Sequence, residues 1–88
     1  MIFITLARYR EKPTKEMLNE IQKRMEKAAA QGQKFLSVYW TLGRYDIIVT
    51  YEAPDEKTAM KGAMNFSEFV STETLIAVPR EEATKLVE

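Results

Sequence analysis

The sequence predicts an α+β domain in which two helices cover one face of a four-stranded antiparallel sheet. Three features carry that expectation: a β-rich opening, two separate stretches with helical spacing, and between the helices a pair of strand-like runs meeting at Gly43-Arg44. Residues 2–9, IFITLARY, are β-branched and aromatic and form the first strand. Thr14 is a good N-cap, after which Met17, Leu18, Ile21, Met25, Ala28 and Ala29 recur every three or four residues until Gly32 ends the helix.

Residues 34–52, KFLSVYWTLGRYDIIVTYE, predict a hairpin with a two-residue turn at Gly43-Arg44. If Leu42 opposes Tyr45, then Trp40 faces Ile47, Val38 faces Val49 and Leu36 faces Tyr51. This set reads as the core side, with Trp40 packed against the first helix. The other side then pairs Thr41 with Asp46, Tyr39 with Ile48, Ser37 with Thr50 and Phe35 with Glu52. Asp55 caps a second helix carrying Ala59, Ala63, Met64 and Phe66, which should end around Ser67. Residues 71–78 read as the last strand, and a short terminal helix can follow over residues 80–87.

The order βαββαβ with right-handed crossovers is the ferredoxin-like motif. It leaves one sheet face without helices. On the register above, with Ile2, Ile4 and Leu6 turned to the helices, that face should show Phe35, Tyr39 and Ile48, with Phe3, Thr5 and Tyr9 from the first strand. Such a surface predicts an interface with a second copy, hence a homodimer or a multiple of dimers, through Phe35, Tyr39 and Ile48.

Eighty-eight residues allow one domain over 1–88. Lys and Arg number 13 against 13 Asp and Glu, the net charge is zero, and no basic stripe appears, so nucleic-acid binding is not expected. Cys and His are both absent. This removes disulfides, thiolate catalysis, the commonest general base and the usual zinc and haem ligands, and no acidic cluster offers a carboxylate metal site; no cofactor is expected. The opening apolar run is too short for a signal peptide and no stretch is long enough to span a membrane, so the expected location is cytoplasmic.

The hairpin motif Gly43-Arg44-Tyr45-Asp46, preceded by Val38-Tyr39-Trp40-Thr41-Leu42 and followed by Tyr51-Glu52-Ala53-Pro54-Asp55, resembles the signature of the GYD domain family. The opening IFITLARY and Thr72-Glu73-Thr74-Leu75 fit the same family. The resemblance implies a ferredoxin-like fold of the dimeric α/β-barrel kind and no defined activity. Residues 67–71, SEFVS, depart from the family's small, Gly-containing turn. The Gly-x-Tyr-Asp hairpin is also similar to the effector-binding half of the Lrp/AsnC transcription regulators. Without a preceding helix-turn-helix, that likeness implies a stand-alone sensing module.

The candidate ligand-binding residues are Thr5, Tyr39, Thr41, Asp46 and Ile48, with Arg44 at the rim. Asp46 draws attention because a carboxylate on a covered sheet face must be paired or hydrogen-bonded. A carboxylate beside a turn also commonly accepts backbone N–H bonds or a nearby hydroxyl such as that of Thr41. Tyr45 and Tyr51 read as core residues, leaving Tyr39 as the functional tyrosine. Two function classes follow. One is a homo-oligomeric module binding a small molecule; the other is a cofactorless isomerase or monooxygenase-like enzyme using Asp46 and Tyr39, which would need Asp46 raised in pKa by burial.

Overall fold

The computed structural model describes residues 1–87. Its elements are β1 (Ile2–Tyr9), α1 (Lys15–Ala30), β2 (Lys34–Trp40), β3 (Ile47–Glu52), α2 (Glu56–Phe66), β4 (Val70–Ala77) and α3 (Arg80–Ala83), which runs on into a 3₁₀ turn over Thr84–Val87. The strands form one antiparallel sheet in the order β2-β3-β1-β4, the ferredoxin-like arrangement.

Both long helices begin where their caps predict. Thr14 Oγ1 accepts the Met17 N–H at 3.2 Å, and Asp55 Oδ1 accepts the Thr58 N–H at 2.8 Å and the Thr58 hydroxyl at 2.7 Å. After α1 the chain reverses through Gly32, whose φ of +106° is open to glycine at little cost. The turn after α2 is tied to α1: the Arg24 guanidinium bonds the Asn65 carbonyl and the Glu68 carboxylate and lies 4.7 Å over the Phe69 ring.

The expected hairpin register holds where Trp40 meets Ile47, Tyr39 meets Ile48, Val38 meets Val49 and Ser37 meets Thr50. Two details differ. The strands stop at Trp40 and Ile47, so residues 41–46 form a longer connection than a two-residue turn, with Gly43 at φ +101°. An irregularity between Phe35 and Ser37 then slips the pairing by one residue, setting Phe35 and not Leu36 opposite Tyr51.

That slip, and the phase of β1, overturn part of the face assignment. Phe3, only 2 % exposed, stacks on Tyr51 at 5.5 Å, Phe35 leans on the same ring at 6.0 Å, and Ala53, just after β3, closes the cluster with Ala59 of α2. Phe3, Thr5, Ala7 and Tyr9 therefore face the helices, while Ile2, Ile4 and Leu6 face away. Phe35 leaves the expected interface set and joins the core edge. Leu36 is 46 % exposed and Leu42 fully so. The helix-free face carries Ile4, Leu6, Tyr39, Ile48 and Leu75.

Phe3→Ala should lower the unfolding free energy by about 3–5 kcal/mol, read from urea denaturation, because it empties the one tightly packed aromatic cluster. Exposed Met64→Ala should stay within about 0.5 kcal/mol.

Candidate functional site

The aromatic cluster fills only one end of the space between sheet and helices. The rest is a cavity of about 420 Å³. Its floor is the helix-facing side of the sheet: Thr5, Ala7 and Tyr9 of β1, Ile47 and Val49 of β3, Val38 and Trp40 of β2, and Val70 and Thr72 at the start of β4. Its roof is Leu18, Ile21, Gln22 and Met25 of α1 with Gly62, Ala63 and Phe66 of α2. The apolar stripe that the sequence places on α1 contributes to this roof, and among the described residues no charged side chain lines the cavity. Among the described residues no group of Asp, Glu, His or Cys could hold a metal ion.

Two of its polar side chains, Thr5 and Gln33, are already engaged. Thr5 shares a hydrogen bond with Thr74 across β1 and β4, Oγ1 to Oγ1 at 2.9 Å. Gln33, 5 % exposed, donates from Nε2 to the Thr58 carbonyl at 3.1 Å and lies against Gly62 so closely that a Cβ there would fall 2.1 Å from Nε2. This close approach explains a glycine inside α2. Tyr9 differs: its hydroxyl makes no hydrogen bond within the chain among the described residues. Its ring meets Trp40 edge to face at 5.7 Å, and Trp40 itself is 63 % exposed at the cavity's mouth, packed on Tyr9. Burial of the phenol, and secondarily the charge of Asp46, raise the Tyr9 pKa above its ordinary value, so the hydroxyl keeps its proton.

The sequence-derived site residues divide between two faces. Tyr39 and Ile48 are cross-strand neighbours on the helix-free side, as expected, whereas Thr5 lies on the cavity side with β1 turned over. Asp46 makes the backbone contacts of a strand end: Oδ2 accepts the Tyr9 N–H at 2.9 Å and its own N–H donates to the Ala7 carbonyl at 2.9 Å. Thr41 bonds the Tyr45 carbonyl at 2.7 Å through its hydroxyl, and not Asp46. Tyr45 is not a core residue, because its hydroxyl donates to Glu73 Oε2 at 2.6 Å. Arg44 is exposed beside it, its guanidinium 5.8 Å from the Tyr45 ring centre, in a small depression shared with Leu6, Arg8 and Glu73.

Sequence reasoning missed Tyr9, Gln33 and the α1 face as parts of one site. A signal existed for Gln33, since a lone glycine within a helical pattern often marks a close approach.

Comparison with known proteins places these features in a family. The GYD domain matches residues 3–87, nearly the whole chain, and the chain belongs to that family. No curated protein matches it.

The tyrosines give a pH prediction. Tyr9 is raised by burial and then by Asp46, and Tyr45 by its bond to Glu73 and then by desolvation, both from an ordinary 10.0. A phenol whose folded-state pKa exceeds the unfolded one stabilises the fold fully below pH 10 and loses that contribution as pH rises through the raised value. Denaturant stability should fall above pH 10, less steeply in Tyr9→Phe. In absorbance titrations at 295 nm that variant should lose a phenolate step from above 10.0, and a step lost at or below it would contradict the assignment.

Proposed function

We propose that this GYD-domain protein is a homo-oligomeric module that binds an uncharged, largely apolar small molecule in the cavity between its sheet and helices. The observation carrying this reading is the cavity itself. It has the volume of a small-molecule site, about 420 Å³, and among the described residues a mostly aliphatic and aromatic lining with a few uncharged polar side chains. A charged ligand there would lose its hydration with no counter-ion to replace it. The composition supports binding over acid–base chemistry, since the chain has no His and Asp46 is committed to the backbone of β1.

Self-association is supported by the opposite face of the sheet. Ile4, Leu6, Tyr39, Ile48 and Leu75 lie there without a covering element, with Tyr39 65 % exposed. A second copy brings an identical surface, which suits a two-fold contact.

The ligand reading is tested with N-phenyl-1-naphthylamine, an uncharged probe that brightens in apolar surroundings. Trp40 is the chain's only tryptophan and stands at the cavity's mouth, so excitation at 295 nm should give energy transfer to bound probe. Saturable binding at one probe per chain is expected, with a dissociation constant on the order of 10 µM, about −7 kcal/mol. Ala63→Phe and Thr72→Phe, which intrude on the cavity, should weaken it, and Ile48→Asp on the other face should not. An absence of saturable binding overturns the reading.

Self-association is tested separately by equilibrium sedimentation at micromolar concentration. A dimer or higher even assembly is expected, dissociating in Tyr39→Asp and Ile48→Asp; a folded wild-type monomer overturns it.

A further inference from the structure

We infer that the Tyr9 hydroxyl is the group that selects the ligand, by donating a hydrogen bond to a carbonyl oxygen on an uncharged, ring-bearing molecule. The inference rests on the cavity reading above and adds to it a chemical class. Six side chains with a hydroxyl or amide line the cavity, Thr5, Tyr9, Gln22, Gln33, Tyr51 and Thr72, together with the indole of Trp40. Thr5 is occupied by Thr74 and Gln33 by the Thr58 carbonyl, while Gln22 and Thr72 are solvent-exposed. Tyr9 and Tyr51 are withdrawn from water, and their hydroxyls have no hydrogen-bond partner among the described residues; Tyr51 is packed between Phe3 and Phe35, whereas Tyr9 stands beside Trp40 at the cavity's mouth.

Its position is fixed from two sides. Asp46 holds the Tyr9 backbone through a 2.9 Å bond, and the Trp40 ring holds the phenol through an edge-to-face contact at 5.7 Å and 69°. A donor placed before the ligand arrives loses little freedom on binding, which makes its bond selective. The phenol stays protonated, so it can donate to the ligand's oxygen. The negative charge of Asp46, which acts on the phenol, disfavours an anionic oxygen, a carboxylate or phenolate, and leaves a neutral carbonyl as the best-matched acceptor. The aromatic surfaces of Tyr9, Trp40 and Phe66 in the cavity lining favour a ring over an alkyl chain.

The pair 9-fluorenone and fluorene tests this, because the two share a planar skeleton and differ in the carbonyl. Their affinities are read by displacement of N-phenyl-1-naphthylamine from the full-length protein. In Tyr9→Phe the ratio of fluorenone to fluorene affinity should fall about five- to tenfold, the worth of one hydrogen bond, with fluorene affinity unchanged within about twofold. Tyr39→Phe, on the opposite face, should leave the ratio where it is in the wild type. In infrared spectra the C=O stretch of bound fluorenone should lie at lower frequency in the wild type than in Tyr9→Phe. A ratio that does not move in Tyr9→Phe, one that moves in Tyr39→Phe, or an unshifted carbonyl overturns the role of Tyr9 while bound probe leaves the cavity reading standing. Failure of the probe itself to bind removes both.

Discussion

The whole arrangement hangs on the way Asp46 ends a strand. β1 is paired with β3 only as far as Ala7, while its last residues, Arg8 and Tyr9, pair with β4 alone. The Tyr9 N–H on the β3 side would have no partner, and a buried amide left unbonded costs about 1–3 kcal/mol. Asp46 replaces the missing strand: its carboxylate accepts that N–H, its own N–H bonds the Ala7 carbonyl, and its carbonyl accepts the Thr41 N–H at 2.8 Å. One residue thereby joins β1, β2 and β3 at the rim of the sheet. The Gly-Arg-Tyr-Asp segment is then a structural knot, in which Gly43 provides the positive φ, Tyr45 reaches across to Glu73, and Asp46 sets the end of β1 and with it the phenol of Tyr9.

The knot matters because the helices do not hold the sheet by tight packing along its length. They are joined at the edges by polar contacts: Arg24 to Asn65 and Glu68, Gln33 to Thr58, and Arg10 Nε to the Ser67 carbonyl at 2.7 Å. The buried aromatic packing is centred on the cluster around Phe3 and Tyr51. Between these supports lies the cavity. A frame of this kind keeps space open without collapse, at the loss of the dispersion contacts that a filled core would give.

How much of this was legible in the sequence follows from particular residues. The helices announce themselves through Thr14, Asp55 and Gly32, and the hairpin register through the apolar pattern from Val38 to Val49, where one alignment alone keeps Trp40, Val38, Ile47 and Val49 on one side. β1 offers no such choice. Its two alternating sets, Ile2-Ile4-Leu6 and Phe3-Thr5-Ala7-Tyr9, are both apolar enough to face a core, as expected of a central strand with no plainly polar side. Reading that strand upside down put Tyr9 on the wrong face and brought Thr5 into company it does not keep. The slip at Leu36 was equally hidden, since no glycine marks it, and it carried Phe35 from the expected interface to the core. The candidate site was thus half visible: the motif was found, but the tyrosine it positions was not.

The small core leads to a last physical consequence. Phe3 is the one large side chain among the described residues that is fully buried, whereas Tyr39, Trp40, Leu75 and Ile76 remain substantially exposed. A domain of this length has little surplus stability from burial, and here part of its apolar surface is turned to the cavity and part to the helix-free face. Both surfaces belong to the same strands, with Ile4 and Leu6 of β1 alternating with Thr5, Ala7 and Tyr9. A second copy covering one side and a ligand filling the other would each stabilise the native state by mass action. They would act on opposite faces of a common sheet, each adding its own contribution to the stability of β1. The proposed dimer and the proposed site are on this argument two halves of one stability problem, solved on opposite faces of a single strand.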